Sequence, residues 1–172
     1  MAQTHTGRSK GADKTKARRA HGGDQDAIKL LKADHREVEG WFSDYEKASG
    51  EGEKSRLAEK ICLALKVHTR IEEEIFYPAA RDELSDEDLL DEAIVEHAAA
   101  KDLIAEIETM EVSDDLFDAK IKVLGEQIEH HVGEEEDKMF PKLRKTGMDM
   151  AALGARMADR KEELMRQLRR PN

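Results

Sequence analysis

The chain of 172 residues has one cysteine, Cys62, only three prolines and 4% aromatic residues, and each shortage excludes something. A single thiol rules out an intramolecular disulfide framework and any Cys-rich zinc or iron–sulfur site. So few aromatics and prolines speak against a β-sandwich and for long, charge-faced helices. No run approaches the roughly 18 apolar residues of a membrane span, and the N-terminus lacks an apolar signal region. The expectation is therefore a cytoplasmic protein that contacts no membrane. The length suits one domain plus a tail, and 38% hydrophobic residues can still build a core although 40% of the chain is charged.

Positive charge is scarce outside one short stretch. Residues 1–23 hold Arg8, Lys10, Lys14, Lys16, Arg18 and Arg19 against Asp13 alone, a local +5 within a net charge of −10. The remaining body carries 23 basic and 38 acidic residues, or −15. Nucleic-acid binding rests on clustered positive charge, so this body is a poor surface for it, and only the basic arm offers a weak contact. Residues 1–24 have no hydrophobic period and are expected to be a disordered, solvated arm.

From residue 25 onward the apolar positions recur at helical spacing. Ile28, Leu31, His35, Val38 and Phe42 form one stripe, predicting a helix from about Asp24 to Ala48 that ends at Ser49-Gly50-Glu51-Gly52. Leu57, Ile61, Ala64, Leu65, His68, Ile71, Glu72 and Ile75 continue a second helix toward Pro78 and Leu84. Ser85 and Asp88 read as a capping box opening a third helix to about Glu111, and Ser113 as the cap of a fourth reaching at least to Pro141. A shorter amphipathic segment, Met148 to Leu168, carries Met150, Leu153, Met157, Leu164 and Leu168. Nothing reads as a strand. The fold class is all-α: an antiparallel up-down-up-down four-helix bundle over residues 25–145, with an additional helix in 146–172 packed outside it or against a partner.

One histidine in an apolar stripe is ordinarily a satisfied core residue. Here there are four, one per helix: His35, His68, His97 and His131. Glu72 and Glu135 follow His68 and His131 by four residues, which places each pair on one helix face about a turn apart. Counting residues to each turn brings all six side chains to within one or two helical turns of the same height in the bundle. There is also an internal repeat. His68-Thr-Arg-Ile-Glu72-Glu-Glu-Ile-Phe-Tyr-Pro78 aligns without gaps on His131-Val-Gly-Glu-Glu135-Glu-Asp-Lys-Met-Phe-Pro141, and Asp34-His35 likewise matches Glu96-His97. Two helix–turn–helix halves related by a pseudo-two-fold axis would set two equivalent half-sites face to face, an arrangement suited to two metal ions. Imidazole and carboxylate donors without thiolate suit iron, manganese or zinc. With Glu72 and Glu135 as bridges and two histidines per metal, open positions remain for small ligands. Among the neighbours, Asp34 and Glu96 are candidate partners of the ligand histidines, or solvated acids. Phe42, Ile75, Phe76, Ile104, Ile128 and Met139 read as core, and His130, about 100° from His131, as surface.

These residues resemble the hemerythrin-like, HHE cation-binding family over about residues 26–145. The ordered set His, His-x-x-x-Glu, His, His-x-x-x-Glu carries the resemblance, together with Asp34-His35-Arg36, Glu73-Glu74-Ile75-Phe76-Tyr77-Pro78 and the run His130 to Glu136. The resemblance implies two non-heme iron ions joined by oxo or hydroxo and carboxylate bridges. Their ligands would be His35, His68, Glu72, His97, His131 and Glu135. Oxygen-carrying members have a further histidine one turn after the third-helix histidine, where this chain has Lys101. It therefore looks closer to the four-histidine branch, linked to iron handling, peroxide removal and sensing. The expected small ligands are O2, hydrogen peroxide or nitric oxide. Catalase-like peroxide decomposition is expected ahead of oxygen storage, with the Lys101 ammonium donating a hydrogen bond to the bound species. The alternative is an iron-, oxygen- or nitric-oxide-responsive module without turnover, and a metal-free or metal-storage bundle that binds a partner ranks behind both. Glu39, one turn beyond His35, is a candidate extra ligand, whereas Tyr45 and Tyr77 fall off the ligand stripe by ideal helical angles.

Overall fold

The computed structural model describes residues 26–84 and 87–169. It consists of α1 (Ala27–Lys47), α2 (Glu51–Ile71), a π-helical turn π1 (Glu72–Phe76), α3 (Tyr77–Arg81), α4 (Asp88–Ile107), α5 (Phe117–Glu134), a second π turn π2 (Glu135–Met139), α6 (Phe140–Leu143) and α7 (Met150–Leu168). Among the described residues there is no strand. The expected arm 1–24 and the Ser85 cap lie outside the described residues.

α2, π1 and α3 form one uninterrupted rod, as do α5, π2 and α6, so the bundle has the four long helices that the apolar spacing predicts. α1 packs on α2, α4 on α5, and the two pairs meet through α1 with α5 and α2 with α4. Short links force antiparallel neighbours: only residues 48–50 separate α1 from α2. α7 is the additional helix and lies outside the four, against α1, α2 and π1.

Helix ends differ from the sequence reading in instructive ways. α1 starts at Ala27 because Asp26 is the cap, its side chain accepting from Lys29 N at 2.8 Å. α2 begins at Glu51, so Gly52 sits inside its first turn rather than in the break. α5 begins at Phe117, not after Ser113, because Leu116 adopts a left-handed backbone (φ 74°) that interrupts the helix. Asp114, next to Ser113, turns back to accept from Glu111 N at 2.9 Å.

The apolar core is divided into two clusters. One contains Ile28, Leu31, Ile71, Phe76, Leu90, Phe140 and Leu143 and is completed by Leu153, Met157 and Leu164 of α7. The other contains Val38, Leu57, Ile61, Leu65, Ile104, Phe117, Ile121 and Leu124. Of the remaining residues read as core, Ile128 and Met139 are buried, while Phe42 and Ile75 are only partly so. Between the clusters runs a buried polar stratum of Asp34, His35, His68, Thr69, Glu72, His97, His131 and Glu135. No described helix is long and apolar enough to cross a membrane.

Candidate metal centre

Each half of the repeat supplies one histidine from its first helix and a His-x-x-x-Glu pair from its second. α1 presents His35 and α4 presents His97; α2 with π1 presents His68 and Glu72, and α5 with π2 presents His131 and Glu135. All six are buried. The structure brings them together in two groups, His35, His68, Glu72 and Glu135 on one side and Glu72, His97 and His131 on the other. In each group the donor atoms lie within 4.8 Å of one another. Nε2 of His35 meets Nε2 of His68 at 3.1 Å, and Nε2 of His97 meets Nε2 of His131 at the same distance.

The glutamates join the halves. Glu72 Oε1 is 3.2 Å from His68 Nε2, and its Oε2 is 3.3 Å from His97 Nε2. Glu135 Oε2 lies 3.3 Å from His35 Nε2 and 3.7 Å from His131 Nε2. These approaches are close but poorly aligned: both oxygens of Glu72 and Oε2 of Glu135 are buried without a hydrogen bond. Buried polar atoms are seldom left so, and the cost is greatest for a carboxylate. Two imidazole nitrogens at 3.1 Å also need a proton or a cation between them. A pair of divalent or trivalent ions would satisfy both demands at once, and the nitrogen and oxygen donor set fits iron, manganese or zinc. Cys62 is buried in the second apolar cluster and takes no part.

Without an ion the His68 imidazole supplies counter-charge. Burial alone would lower the pKa of His68, but Glu72 and Asp34 raise it to about 10. Burial opposes ionisation of Glu72, yet His68 and His97 hold its carboxyl well below the usual range.

Each of the four buried histidines is fixed from behind. Nδ1 of His35 faces Glu136 at 2.9 Å, His68 faces Asp34 at 3.4 Å, His97 faces Glu73 at 3.1 Å and His131 faces Glu96 at 2.7 Å. A carboxylate at Nδ1 holds the proton there and turns the Nε2 lone pair inward, the usual device for orienting a metal-ligating imidazole. Asp34 and Glu96 are thus partners of these histidines rather than solvated acids, each serving the histidine of the next helix. Glu73 and Glu136 were not singled out from the sequence, although their recurrence in the repeat was the available signal. They cross between the halves, from π1 to α4 and from π2 to α1.

Three sequence-based assignments change. Lys101 does not reach the ligand cluster: its ammonium binds Glu73 at 2.7 and 2.9 Å, behind His97, and is 43% exposed. Glu39 is half-exposed and paired with Arg36 at 2.7 Å, outside both donor groups. Tyr77, placed off the stripe, is inside the site. Its phenol donates to Glu135 Oε1 at 2.9 Å and lies 3.2 Å from His97 Nε2 and 3.5 Å from His131 Nε2. The reason is π1. In an α-helix the five residues from Glu72 to Tyr77 turn through about 500°, leaving them about 140° apart. In π1 the Tyr77 N–H bonds Glu72 O, five residues back, and the extra residue in the turn swings Tyr77 round by about 100° toward the ligand face. Pro78 explains where this happens, since it has no N–H for the carbonyl four residues earlier and its ring crowds that carbonyl. Pro141 does the same for π2, where Phe140 N bonds Glu135 O. Tyr45, by contrast, stays out of the site and donates to Asp118 at 2.6 Å. His130 is 68% exposed and 3.4 Å from Glu96, as a surface residue.

Phe140 is the repeat mate of Tyr77, so the pseudo-symmetry breaks here. Its ring stacks on His35 at 6.1 Å, with no hydroxyl to offer. Burial and the carboxylates of Glu135 and Glu72 raise the Tyr77 phenol well above its ordinary pKa, so it stays protonated and donates a hydrogen bond. On the other side of the histidines, Val38, Leu65, Thr69, Ile128 and Val132 enclose a cavity of about 10 Å³, near the lower limit for a single water.

Residues 26–143 match the sequence profile of the hemerythrin HHE cation-binding domain, well over half of the chain. No curated protein matches the chain. Among solved structures, it is similar to a hemerythrin HHE cation-binding domain-containing protein, the Rv2633c homolog from Mycobacterium kansasii. The TM-score is 0.72 at 24% identity, covering 84% of this chain and 90% of the other, a likeness of fold. With its buried histidine and glutamate groups lying inside the matched span, this chain belongs to the hemerythrin HHE cation-binding domain family.

Proposed function

We propose that the protein holds two iron ions between its halves and decomposes hydrogen peroxide, converting two molecules into two of water and one of O2. The ligands in this reading are His35, His68, Glu72, His97, His131 and Glu135, with the two glutamates shared between the ions. The observation that carries peroxide turnover is Tyr77, a buried phenol whose hydroxyl lies beside His97, His131 and Glu135, with no such group at the equivalent position of the other half. Bound iron would supply Lewis acidity and one-electron redox change at neutral pH.

The chain's own residues do the rest. Glu136, Asp34, Glu73 and Glu96 hold protons at the four Nδ1 atoms, leaving Nε2 free to bind. Tyr77 keeps a proton at its phenolic oxygen, between Glu135 and His97, where it can donate a hydrogen bond to an oxygen atom that accumulates negative charge. Val38, Leu65, Ile128 and Val132 exclude bulk water and limit what enters to species of a few atoms, which suits O2, peroxide or nitric oxide. The role first given to the Lys101 ammonium thus passes to the Tyr77 phenol. O2 release from hydrogen peroxide by the iron-loaded protein tests the reading, alongside Tyr77→Phe and His97→Ala. Turnover by the wild type that falls at least tenfold in both variants is expected. A stable, reversible oxygen adduct without peroxide consumption would replace this reading with oxygen storage.

A further inference from the structure

The four carboxylates behind the histidines are themselves held by further side chains, three of them by Lys or Arg. Glu136 meets Lys32 at 3.2 Å and Arg36 at 2.5 Å, Glu73 meets Lys101, Glu96 meets His130, and Asp34 meets Lys161. The first three sets come from the bundle helices α1, α4 and α5, and their side chains are 43–68% exposed. Lys161 differs. It belongs to α7, beyond the matched span of residues 26–143, and reaches into the polar stratum with its side chain 31% exposed onto a carboxylate only 11% exposed.

The pseudo-two-fold sharpens the contrast. Asp34 and Glu96 occupy equivalent positions, each one residue before a ligand histidine and each serving the histidine of the next helix. Glu96 has the longer side chain and meets His131 at 2.7 Å; Asp34 is one methylene shorter and meets His68 at 3.4 Å. The shorter acid divides its two oxygens, Oδ2 to His68 and Oδ1 to Lys161. Its orientation is therefore set from α7, and nothing in the repeat supplies an equivalent helix for Glu96.

We infer that α7 is a positioning element of the metal centre: Lys161, acting through Asp34, orients His68 and makes the His35/His68 half-site a stronger metal site than it would otherwise be. This rests on the two-metal reading above. Loss of an outer partner of a ligand histidine ordinarily weakens metal binding about 10- to 100-fold. The adjacent Arg160 provides a control, because it also ties α7 to the bundle, through Glu74 at 2.6 and 3.1 Å, but Glu74 contacts no ligand histidine.

The experiment is a Co(II) titration of the metal-free full-length chain against a competing chelator, read by the visible spectrum. Wild type should take two equivalents. Lys161→Ala should weaken one of the two about tenfold or more and alter its spectrum, with Lys161→Arg restoring most of the affinity. Arg160→Ala should bind as wild type does. Lys161→Ala combined with Asp34→Asn should be no weaker than Asp34→Asn alone, since both lie on one line of contact. Wild-type affinity and spectrum in Lys161→Ala overturn the inference while leaving two-metal binding intact. Equal losses in Arg160→Ala also overturn it, by assigning the effect to docking of α7 as a whole. A wild-type chain that takes fewer than two equivalents overturns the two-metal reading, and the inference falls with it.

Discussion

Replacing Tyr77 with phenylalanine removes one oxygen atom from the most enclosed part of the molecule. The ring should be tolerated, since its repeat mate is already Phe140. What is lost is the hydrogen bond to Glu135 Oε1 at 2.9 Å, between side chains that are 3% and 1% exposed as residues. A buried hydrogen bond to a charged group contributes about 1.5–3 kcal/mol, and no other hydrogen bond to that oxygen takes its place, so the metal-free variant should lie near the upper half of this range. With a urea m-value of about 2 kcal/mol/M, a loss of about 2.5 kcal/mol moves the unfolding midpoint down by about 1.2 M. Bound cations would offset the charge of Glu135, leaving a cost nearer the ~1 kcal/mol of an ordinary hydrogen bond. The assay is urea unfolding of wild type and Tyr77→Phe, each with and without metal. Equal midpoints in the metal-free pair, or a larger loss in the metal-loaded pair, would refute the argument.

Metal should also stabilise the whole fold, because it binds ligands that only the native state assembles. Free metal at 100 times its dissociation constant adds about 2.7 kcal/mol, or about 5–10 °C in Tm for a chain of this size, and calorimetry showing no shift would count against a buried site. Cys62 is 1% exposed, and burial, followed by the Glu108 carboxylate, pushes its thiol up to about 12. It should resist a thiol reagent at pH 8 in the native protein and react at once in denaturant; because the folded value is the raised one, its contribution to stability is present below the unfolded thiol pKa and fades as pH climbs toward 12. At the far end of the bundle, Tyr45→Phe breaks the 2.6 Å bond to Asp118 and should cost about 1 kcal/mol without changing metal content, which paired unfolding and metal analysis would check.

The repeat makes most of the candidate centre legible in the sequence. His35, His68, Glu72, His97, His131 and Glu135 follow from helical spacing and from equal helix arms, both properties of an ideal α-helix. Tyr77 was missed for the same reason: ideal angles fail wherever a π turn adds a residue, and only the proline at 78 hinted at one. Glu73 and Glu136 carried a signal in their recurrence but none in their angles, since each reaches sideways to a histidine of the other half. Lys101 shows the opposite limit. Its register relative to His97 is right, yet an intervening Glu73 holds its ammonium outside. Lys161 had no local signal at all, because α7 has no counterpart in the repeat and its contact depends on how that helix docks. The late start of α5 likewise depends on a single left-handed residue, Leu116, which neither its side chain nor its neighbours announce.

The central claim is that two buried half-sites share Glu72 and Glu135 around a pair of iron ions. Iron per chain, measured on protein reconstituted anaerobically and freed of loosely bound metal, tests it most directly. The account predicts about two irons in the wild type, and loss of iron from both positions when Glu72 and Glu135 are both replaced by alanine. Two full equivalents retained in that double variant would contradict it.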